Sequence, residues 1–393
     1  MTAPRATTAI ERIDVFGYDL TYAHGDYVMS SGRVVNRLPS TVVRITTTDG
    51  VTGYGECCPL GATYLPGFAE GARAALRELA PALIGADPTN LADITARMDA
   101  TLRGHDYAKS AIDVACWDVF GRVAGQPVAA LLGGVLQREL PLYVAVPLGS
   151  PEAMSAFVER ERSGGVHRFQ LKLGGDPYED AERARAVHDA TGPGEALIAD
   201  ANGGWRRQDA IVAAHLMANL ERLRLEQPCP TLEECIAVRR LTTLPMVLDE
   251  VITDMTALVR AASLDAMDHI NLKIGRVGGL TRARAMRDTA VALGMRLTIE
   301  DSWGGDLVTA AIAHLAAATP PDALFAVSFM NDWTVEHIAG YQPRSAGGVG
   351  IVPSAPGLGV EVDEAMLGAA LFSADSGYVA RGGVSNLQRS DPA

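Results

Sequence analysis

The chain has 393 residues, of which 48% are apolar and 21% charged, a composition that can fill a large core and excludes a disordered protein. Its formal net charge of −13 argues against nucleic acid as a partner, because phosphates would be repelled. No apolar run is long enough for a membrane span, and the charged start of the chain does not resemble a signal peptide. Five cysteines without a CxxC pair indicate reduced thiols, and we expect a cytoplasmic protein.

Residues 1–135 predict an α+β domain. Alternating apolar residues predict strands, and Asp49-Gly50 predicts the hairpin turn that joins the second strand to the third. The strands are expected over residues 10–20, 41–47 and 51–56, and helices over 69–83, 91–102 and 110–123. The tail of the chain, about residues 355–393, contains several Gly and Pro residues, and we expect it to return to this domain.

Residues 136–354 repeat another pattern, in which short apolar runs end in a polar residue and precede amphipathic stretches. The runs cover residues 140–146, 169–172, 197–200, 223–226, 246–249, 270–273, 297–300 and 324–329. The polar ends are Lys172, Asp200, Glu226, Asp249, Lys273 and Glu300, and subtraction gives spacings of 28, 26, 23, 24 and 27 residues. Eight units of about 25 residues predict an α/β fold with a (βα)₈-type barrel. A doubly wound open sheet is the competing architecture.

Three carboxylates end consecutive predicted strands. Because the carboxyl ends of barrel strands converge, Asp200, Glu226 and Asp249 are expected to face one cavity. Their mutual repulsion requires a positive charge between them, and all-oxygen ligands favour Mg²⁺, one ion per subunit. The alternative is three separate acids, each paired with an arginine.

Lysine is rare in this chain. Of its 34 basic residues only Lys109, Lys172 and Lys273 are lysines, which leaves 31 arginines. Lysine can lose its proton in a suitable environment and arginine cannot, so the two strand-end lysines are candidate acid–base groups on either side of the triad. A nearby cation and a second lysine would lower their pKa values toward neutrality. Lys109 is interpreted as structural, in an ion pair across one helical turn.

The sequence resembles the enolase superfamily, in its muconate-lactonizing-enzyme-like group. The resemblance rests on Leu171-Lys172, Asp200-Ala201-Asn202, Glu226-Gln227-Pro228, Asp249-Glu250 and Lys273, with further similarity at residues 104–118 and 131–134. It implies a modified TIM barrel over residues 136–354, covered by a capping domain formed by residues 1–135 and the tail. The family's usual KxK motif is changed, because Gln170 replaces the first lysine. Asn202 and Glu250 are expected to orient the metal ligands, and Glu300 to orient Lys273 or a loop.

Three further stretches resemble the subfamily that acts on proline derivatives, namely residues 56–64, 300–306 (EDSWGGD) and 329–333 (FMNDW). That subfamily includes cis-3-hydroxy-L-proline dehydratases and proline-betaine epimerases. The resemblance implies a small carboxylate substrate, a cyclic amino acid. The residues expected to bind it are Tyr64, Asp301, Trp303 and Trp333.

The first hypothesis is Mg²⁺-dependent removal of the α-proton through an enediolate, followed by dehydration of cis-3-hydroxy-L-proline. An epimerase that transfers a proton at one carbon of proline betaine or hydroxyproline betaine would also need two opposed lysines, so the lysines alone do not decide. A Schiff-base aldolase would use a strand-end lysine without a metal. A non-catalytic metal-binding barrel is the remaining class. We also expect a homo-oligomer.

Overall fold

The computed structural model describes residues 8–29 and 32–377. The ends of the expected N-terminal domain and tail, residues 1–7 and 378–393, lie outside the described residues. Within the described ranges, no helix combines the length and apolar character needed to cross a membrane.

The N-terminal part is built on an antiparallel sheet packed against helices. The sheet contains β1 (Ile10–Thr21), β4 (Arg37–Thr47) and β5 (Thr52–Cys57), and β2 (Tyr27–Val28) and β3 (Val34–Val35) form a separate pair. The three strands expected from alternation are confirmed as β1, β4 and β5, and the chain turns between Thr47 and Val51 as Asp49-Gly50 predicted. The helices are α1 (Ala69–Leu79), α2 (Leu91–Thr101), α3 (Asp106–Ala124) and α4 (Val128–Leu131), and a 3₁₀ turn (Ala80–Leu83) follows α1.

Helix α3 is buried along nearly its whole length between the N-terminal sheet and the rest of the molecule. Close packing on β5 requires glycine there, because a Cβ at Gly55 would lie 2.0 Å from the Ala111 carbonyl oxygen. The ion pair expected for Lys109 across one turn of this helix is wrong. Its ammonium instead lies 2.7 Å from Asp99 of α2, so it joins two helices.

The second part of the chain confirms the predicted barrel. After β6 (Glu139–Pro141), eight parallel strands pair in sequential order. They are β7 (Val144–Val146), β8 (Arg168–Lys172), β9 (Ala196–Asp200), β10 (Leu223–Glu226), β11 (Met246–Leu248), β12 (His269–Lys273), β13 (Arg296–Glu300) and β14 (Leu324–Val327). A parallel bridge between Leu142 and Val327 joins the first strand to the last. Sequential pairing excludes the doubly wound alternative, in which strand order reverses.

Helices follow the barrel strands as the spacing predicted. They are α5 (Pro151–Ser163), α6 (Pro177–Ala190), α7 (Arg207–Leu216), α8 (Leu232–Arg239), α9 (Met255–Ser263), α10 (Ile274–Val277), α11 (Leu280–Ala292) and α12 (Asp306–Ala317). Several begin with a side-chain cap; for example, Asp176 accepts hydrogen bonds from the backbone N–H groups of Tyr178 and Glu179. A 3₁₀ turn, Met330–Trp333, follows β14.

The C-terminal segment crosses back over the molecule. Strands β15 (Ser345–Ala346) and β16 (Val349–Ile351) form a small sheet with β6, and a 3₁₀ turn (Glu364–Met366) precedes β17 (Phe372–Asp375). Strand β17 pairs with β1 at the edge of the N-terminal sheet. The described part of the tail therefore reaches the N-terminal sheet, while the exact domain boundaries stay a prediction.

Side chains two residues apart on a strand point to the same face, so each inward-facing strand adds its residues to stacked layers inside the barrel. On β8 these are Arg168, Gln170 and Lys172, and on β12 they are His269, Asn271 and Lys273. The last residue of each series lies at the carboxyl end of the barrel, and the first lies at the opposite end. Each end of the barrel therefore has its own set of polar side chains.

Candidate active site

The three predicted metal ligands end neighbouring strands and are fully buried, with 0% exposure each. Asp200 on β9 is the direct partner of Glu226 on β10. Val247 on β11 pairs with Glu226, and Asp249 follows two residues later on the same face. The three carboxylates thus lie on neighbouring strands at the same end of the barrel, and their role as metal ligands stays a prediction.

Glu226 is held by neutral amides. The Gln170 Nε2 group donates to both of its oxygens at 3.1 and 3.0 Å, and the Asn271 Nδ2 group donates at 2.7 Å. Burial, followed by the charges of Asp200 and Asp249, raises the pKa of Glu226 well above its ordinary value. Gln170, where the family motif has a lysine, therefore contributes hydrogen bonds but no charge to this carboxylate.

The other two acids are each paired with a lysine. Lys172 Nζ lies 2.5 Å from Asp200 Oδ2, and Lys273 Nζ lies 2.7 Å from Asp249 Oδ2. Arg276 also donates to Asp249, at 2.7 Å. Although burial opposes its charge, Asp249 has a pKa lowered to about 2 by Arg276 and Lys273.

The neighbouring carboxylates favour the protonated form of both lysines, whereas the expectation of lowered pKa values includes a metal cation. Burial works against the ammonium of Lys172, but Asp200, Tyr27 and Glu226 together outweigh burial and raise the pKa well above the ordinary value. Burial and Asp249 have the same opposed effects on Lys273, whose pKa is also raised. The carboxylates alone therefore keep both lysines protonated. The expectation assumed a cation that would take up much of this negative charge.

The predicted supporting residues lie in contact with these pairs. The Asn202 Nδ2 group donates to Asp200 at 2.9 Å and to Glu250 at 3.1 Å. Glu300 lies 3.4 Å from the Lys273 ammonium, and the Tyr143 hydroxyl donates a hydrogen bond to its other oxygen. These contacts fix the side chains around both lysines.

The donor chemistry of the site fits a hard divalent cation. Among the described residues, three buried oxygens in or beside the triad accept no hydrogen bond: Asn202 Oδ1, Glu250 Oε2 and Asn271 Oδ1. Such oxygens are the ligands and supporting groups that Mg²⁺ prefers. The triad carboxylates face lysine, arginine and amide donors, and across residues 8–29 and 32–377 no three acidic, His or Cys side chains converge on one point. Protein cations and amides thus compete for the same oxygens.

A narrow pocket of about 30 Å³ lies next to the lysines, at the carboxyl end of the barrel. Its lining includes all four residues predicted to bind substrate, namely Tyr64, Asp301, Trp303 and Trp333. The rings of Trp303 and Trp333 lie 5.8 Å apart, and the Tyr64 hydroxyl, from a loop of the N-terminal part, donates to Glu250 at 2.7 Å. Asp301 accepts backbone hydrogen bonds from Gly275 and Ser302, and burial raises its pKa to about 6.

Several site residues were missed in the sequence. Tyr27 and Tyr143 line the pocket from regions where no local pattern marked them. Arg276 follows Lys273 on the short helix α10 and binds Asp249, again without a sequence signal. Asn271 could have been found, because it lies two residues before Lys273 and must face the same side of the strand.

Comparison with known families identifies both parts of the chain. Residues 14–133 match the N-terminal domain of the mandelate racemase/muconate lactonizing enzymes, and residues 153–366 match the enolase C-terminal domain-like family. A cis-3-hydroxy-L-proline dehydratase from Roseibium aggregatum is 48% identical over 89% of this chain and 95% of its own length. An N-succinyl-L-Arg/Lys racemase from Bacillus cereus is 29% identical over 74% of this chain and 79% of its own.

Solved structures show the same relationship. A mandelate racemase/muconate lactonizing enzyme from Roseovarius nubinhibens, solved in complex with magnesium, has a TM-score of 0.90 and 36% identity, covering 93% of this chain and 99% of its own. The two family matches together span both the N-terminal sheet and the barrel. The chain therefore belongs to the enolase superfamily, in the mandelate racemase/muconate lactonizing enzyme family.

Proposed function

We propose that this chain is a Mg²⁺-dependent dehydratase of cis-3-hydroxy-L-proline. The observation that carries the proposal is that Lys172 and Lys273 line one narrow pocket from strands on either side of the acid triad. A carboxylate substrate between them would have one amine on each face of its α-carbon. The 48% identity to a cis-3-hydroxy-L-proline dehydratase over nearly the whole chain supports this substrate.

Each of the two lysines would carry out one of the two proton transfers. In cis-3-hydroxy-L-proline, the α-proton and the 3-hydroxyl lie on opposite ring faces. One lysine, in its neutral form, removes the α-proton, and the other donates a proton as the hydroxyl leaves as water. The resulting enamine tautomerises to a cyclic imine. Asp200, Glu226 and Asp249 would hold the magnesium ion, which would stabilise negative charge developing on the substrate carboxylate.

The remaining pocket residues would bind the ring and its nitrogen. Trp303 and Trp333 present aromatic surface, which can bind a cationic nitrogen through a cation–π contact. Asp301 could pair with the same nitrogen, because its carboxylate contacts only backbone N–H groups of Gly275 and Ser302 among the described residues. The Tyr64 hydroxyl lies 3.1 Å from the Lys273 ammonium and would close the pocket from the N-terminal side. The aromatic lining suits a compact ring with a charged nitrogen.

Epimerisation of proline betaine or hydroxyproline betaine is the second candidate. The same opposed lysines would remove a proton from one face and return one to the other. The similarity to the Bacillus cereus racemase shows that proton transfer of this kind occurs among the relatives, at the lower identity of 29%. Dehydration is therefore preferred over epimerisation.

One assay separates these candidates. The purified protein with Mg²⁺ would be incubated with cis-3-hydroxy-L-proline and, separately, with proline betaine in D₂O. We expect a cyclic imine from the first substrate, detected with o-aminobenzaldehyde. Deuterium at the α-carbon of the betaine, with racemisation and no imine from hydroxyproline, would contradict dehydration. Turnover of an acid sugar alone would contradict both substrates.

Cellular location and assembly are part of the proposal. All five cysteines are free and buried, as expected for a reduced cytoplasmic enzyme. The predicted homo-oligomer would be checked by light scattering of the purified protein.

A further inference from the structure

Three arginines lie at the end of the barrel opposite the lysine pocket. Arg168 is the first residue of β8, Arg296 is the first residue of β13, and Arg224 is the second residue of β10. Each lies two or four residues before a buried polar residue of its strand, at Gln170, Glu226 or Glu300, and therefore faces the same side. The interior layer at the amino ends of these strands is thus cationic.

These arginines have no carboxylate partner. Among residues 8–29 and 32–377, none of the three makes a side-chain hydrogen bond or an ion pair within 4 Å, although the chain has 47 acidic residues. Arg224 lies over an aromatic ring, with its Cζ atom 4.3 Å from the centre of Phe325. The three positive charges are therefore not neutralised by direct contact with a carboxylate.

A cleft of about 560 Å³ opens beside this layer. Arg224, Arg239, Arg296, Asp268 and His269 line it. Asp268 does not neutralise Arg224 or Arg296 by direct contact, because its oxygens already accept hydrogen bonds from Arg239 and from the Met246 backbone N–H. The charged side chains of the lining are Arg224, Arg239, Arg296 and Asp268, and His269 is neutral. The lining therefore has a surplus of two positive charges.

His269 supplies a second, independent sign of a ligand. It is 1% exposed, and its Nε2 atom lies 2.9 Å from the Thr298 hydroxyl, but its buried Nδ1 atom has no partner among the described residues. Its ring packs edge-on against Phe325 at 4.9 Å. A buried polar atom without a hydrogen-bond partner destabilises the folded protein, and a ligand in the cleft would supply that partner.

Electrostatics agree with this geometry. Burial, followed by the charge of Arg296, lowers the pKa values of both Arg168 and Arg224. Burial and the charges of Arg224 and Arg296 lower the pKa of His269 to about 3. The like charges therefore repel one another, and an anion would relieve this repulsion.

We propose that this cleft is a binding site for a phosphate group, either free or carried by a small metabolite. Guanidinium groups bind the oxygens of phosphate in pairs of parallel hydrogen bonds, and a dianion would balance the two surplus charges. The cleft is larger than one phosphate ion requires, so it leaves room for an ester substituent. The site is separate from the lysine pocket, because the four residues of strand from His269, which lines the cleft, to Lys273 span about 13 Å.

Binding would be measured by titration calorimetry of the full-length, Mg²⁺-loaded protein at constant ionic strength. Inorganic phosphate and glycerol 3-phosphate would be titrated separately, and the tighter of the two identifies the source of the phosphate group. Saturable binding of at least one of them is expected. Arg296→Gln, at an exposed position, and Arg224→Gln should each weaken binding by at least about tenfold. Arg103→Gln, an exposed change of equal charge in the N-terminal part, is the control and should bind as the wild type does.

Three outcomes would overturn the proposal. One is the absence of saturable binding of either phosphate compound to the wild type. A second is unchanged binding by Arg296→Gln, which remains informative if the more buried Arg224→Gln fails to fold. The third is loss of binding in Lys273→Ala, because that result would locate the phosphate in the lysine pocket. Retained phosphate binding in Lys273→Ala would support a separate site whether or not the proposed dehydration is correct.

Discussion

Glu56 on β5 accepts a hydrogen bond of 2.9 Å from the backbone N–H of Gly305, at the start of barrel helix α12. Its other oxygen accepts a hydrogen bond from the Val308 N–H at 3.2 Å. A residue of the N-terminal sheet thus satisfies the first N–H groups of a barrel helix. The loop that ends at this helix contains Asp301 and Trp303, so Glu56 acts as a positioning residue for the proposed substrate pocket.

Glu56→Gln should therefore disturb both stability and substrate binding. Both oxygens of Glu56 accept hydrogen bonds, from backbone N–H groups and from the hydroxyls of Tyr18 and Ser40. Glutamine would replace one of these oxygens with an NH₂ group, which is a donor and would face another donor. We expect the free energy of unfolding to fall by about 1–3 kcal/mol, measured by urea denaturation. KM should rise more than kcat falls, because the altered loop binds substrate and the lysines are unchanged. Glu78→Gln, at an exposed helical position, is the control, and equal behaviour of the two variants would contradict this role.

Replacing either lysine tests the proposed proton transfers. Lys172→Ala and Lys273→Ala should each reduce turnover of cis-3-hydroxy-L-proline by at least about a hundredfold. Lys172→Arg and Lys273→Arg keep the charge beside Asp200 and Asp249 but cannot release a proton near neutral pH, so they should be similarly inactive. Steady-state kinetics and Mg²⁺ titration would be measured together. Normal turnover by any of the four variants would contradict a two-lysine mechanism.

Removing the metal separates the proposed enzyme from an aldolase. Incubation with EDTA should abolish activity, and added Mg²⁺ should restore it, because Asp200, Glu226 and Asp249 would hold the ion. Asp249→Asn should raise the Mg²⁺ concentration needed for half-maximal activity by at least about tenfold, since it removes one charged ligand. Full activity in excess EDTA, or a substrate adduct trapped by borohydride, would instead indicate Schiff-base chemistry.

His314 gives a pH dependence of stability away from the active site. It is fully buried, its Nδ1 atom accepts from the Ala129 N–H at 3.1 Å, and its Nε2 atom donates to the Leu358 carbonyl at 3.0 Å. Only the neutral ring can make both bonds, and burial lowers its pKa to about 4. A lowered histidine pKa stabilises the fold above the unfolded value of about 6.5, and this stabilisation is lost as pH falls toward 4.

The measurement compares wild type with His314→Gln, so that other titrating groups cancel. Between pH 7 and pH 5, the free energy of unfolding of the wild type should fall by about 2 kcal/mol more than that of the variant. Urea denaturation at the two pH values gives both quantities. A difference that stays constant with pH would show that His314 can be protonated in the folded protein.

The barrel could be predicted because its signal is local and repeated. Each strand is a short apolar run that ends in a polar residue, and parallel strands must converge at those ends, which is why Asp200, Glu226 and Asp249 could be grouped. Strand β6 could not be separated from β7 in the sequence. Its residues pair with β16, about 200 positions away in the chain.

Contacts between distant segments limited the prediction of the site in the same way. Tyr143 meets Glu300 and Glu56 meets Gly305 only after the fold has formed, and no short spacing encodes either contact. The pKa values of the lysines depend on the balance between carboxylates and cations at each nitrogen, which a list of residue types does not give.

The alternation of side chains along the barrel strands limits where insertions and deletions of single residues can be accepted. The lysine pocket and the arginine layer lie at opposite ends of the same strands, and both depend on every second residue facing inward. Inserting or deleting one residue between Arg168 and Lys172 would put the two side chains on opposite faces of β8, so one of them would turn outward. A single substitution leaves the other side chains of the strand facing as before, whereas a change in strand length by one residue would break the common inward facing of the two ends. Insertions and deletions should therefore be tolerated in the connecting loops and excluded from these strands.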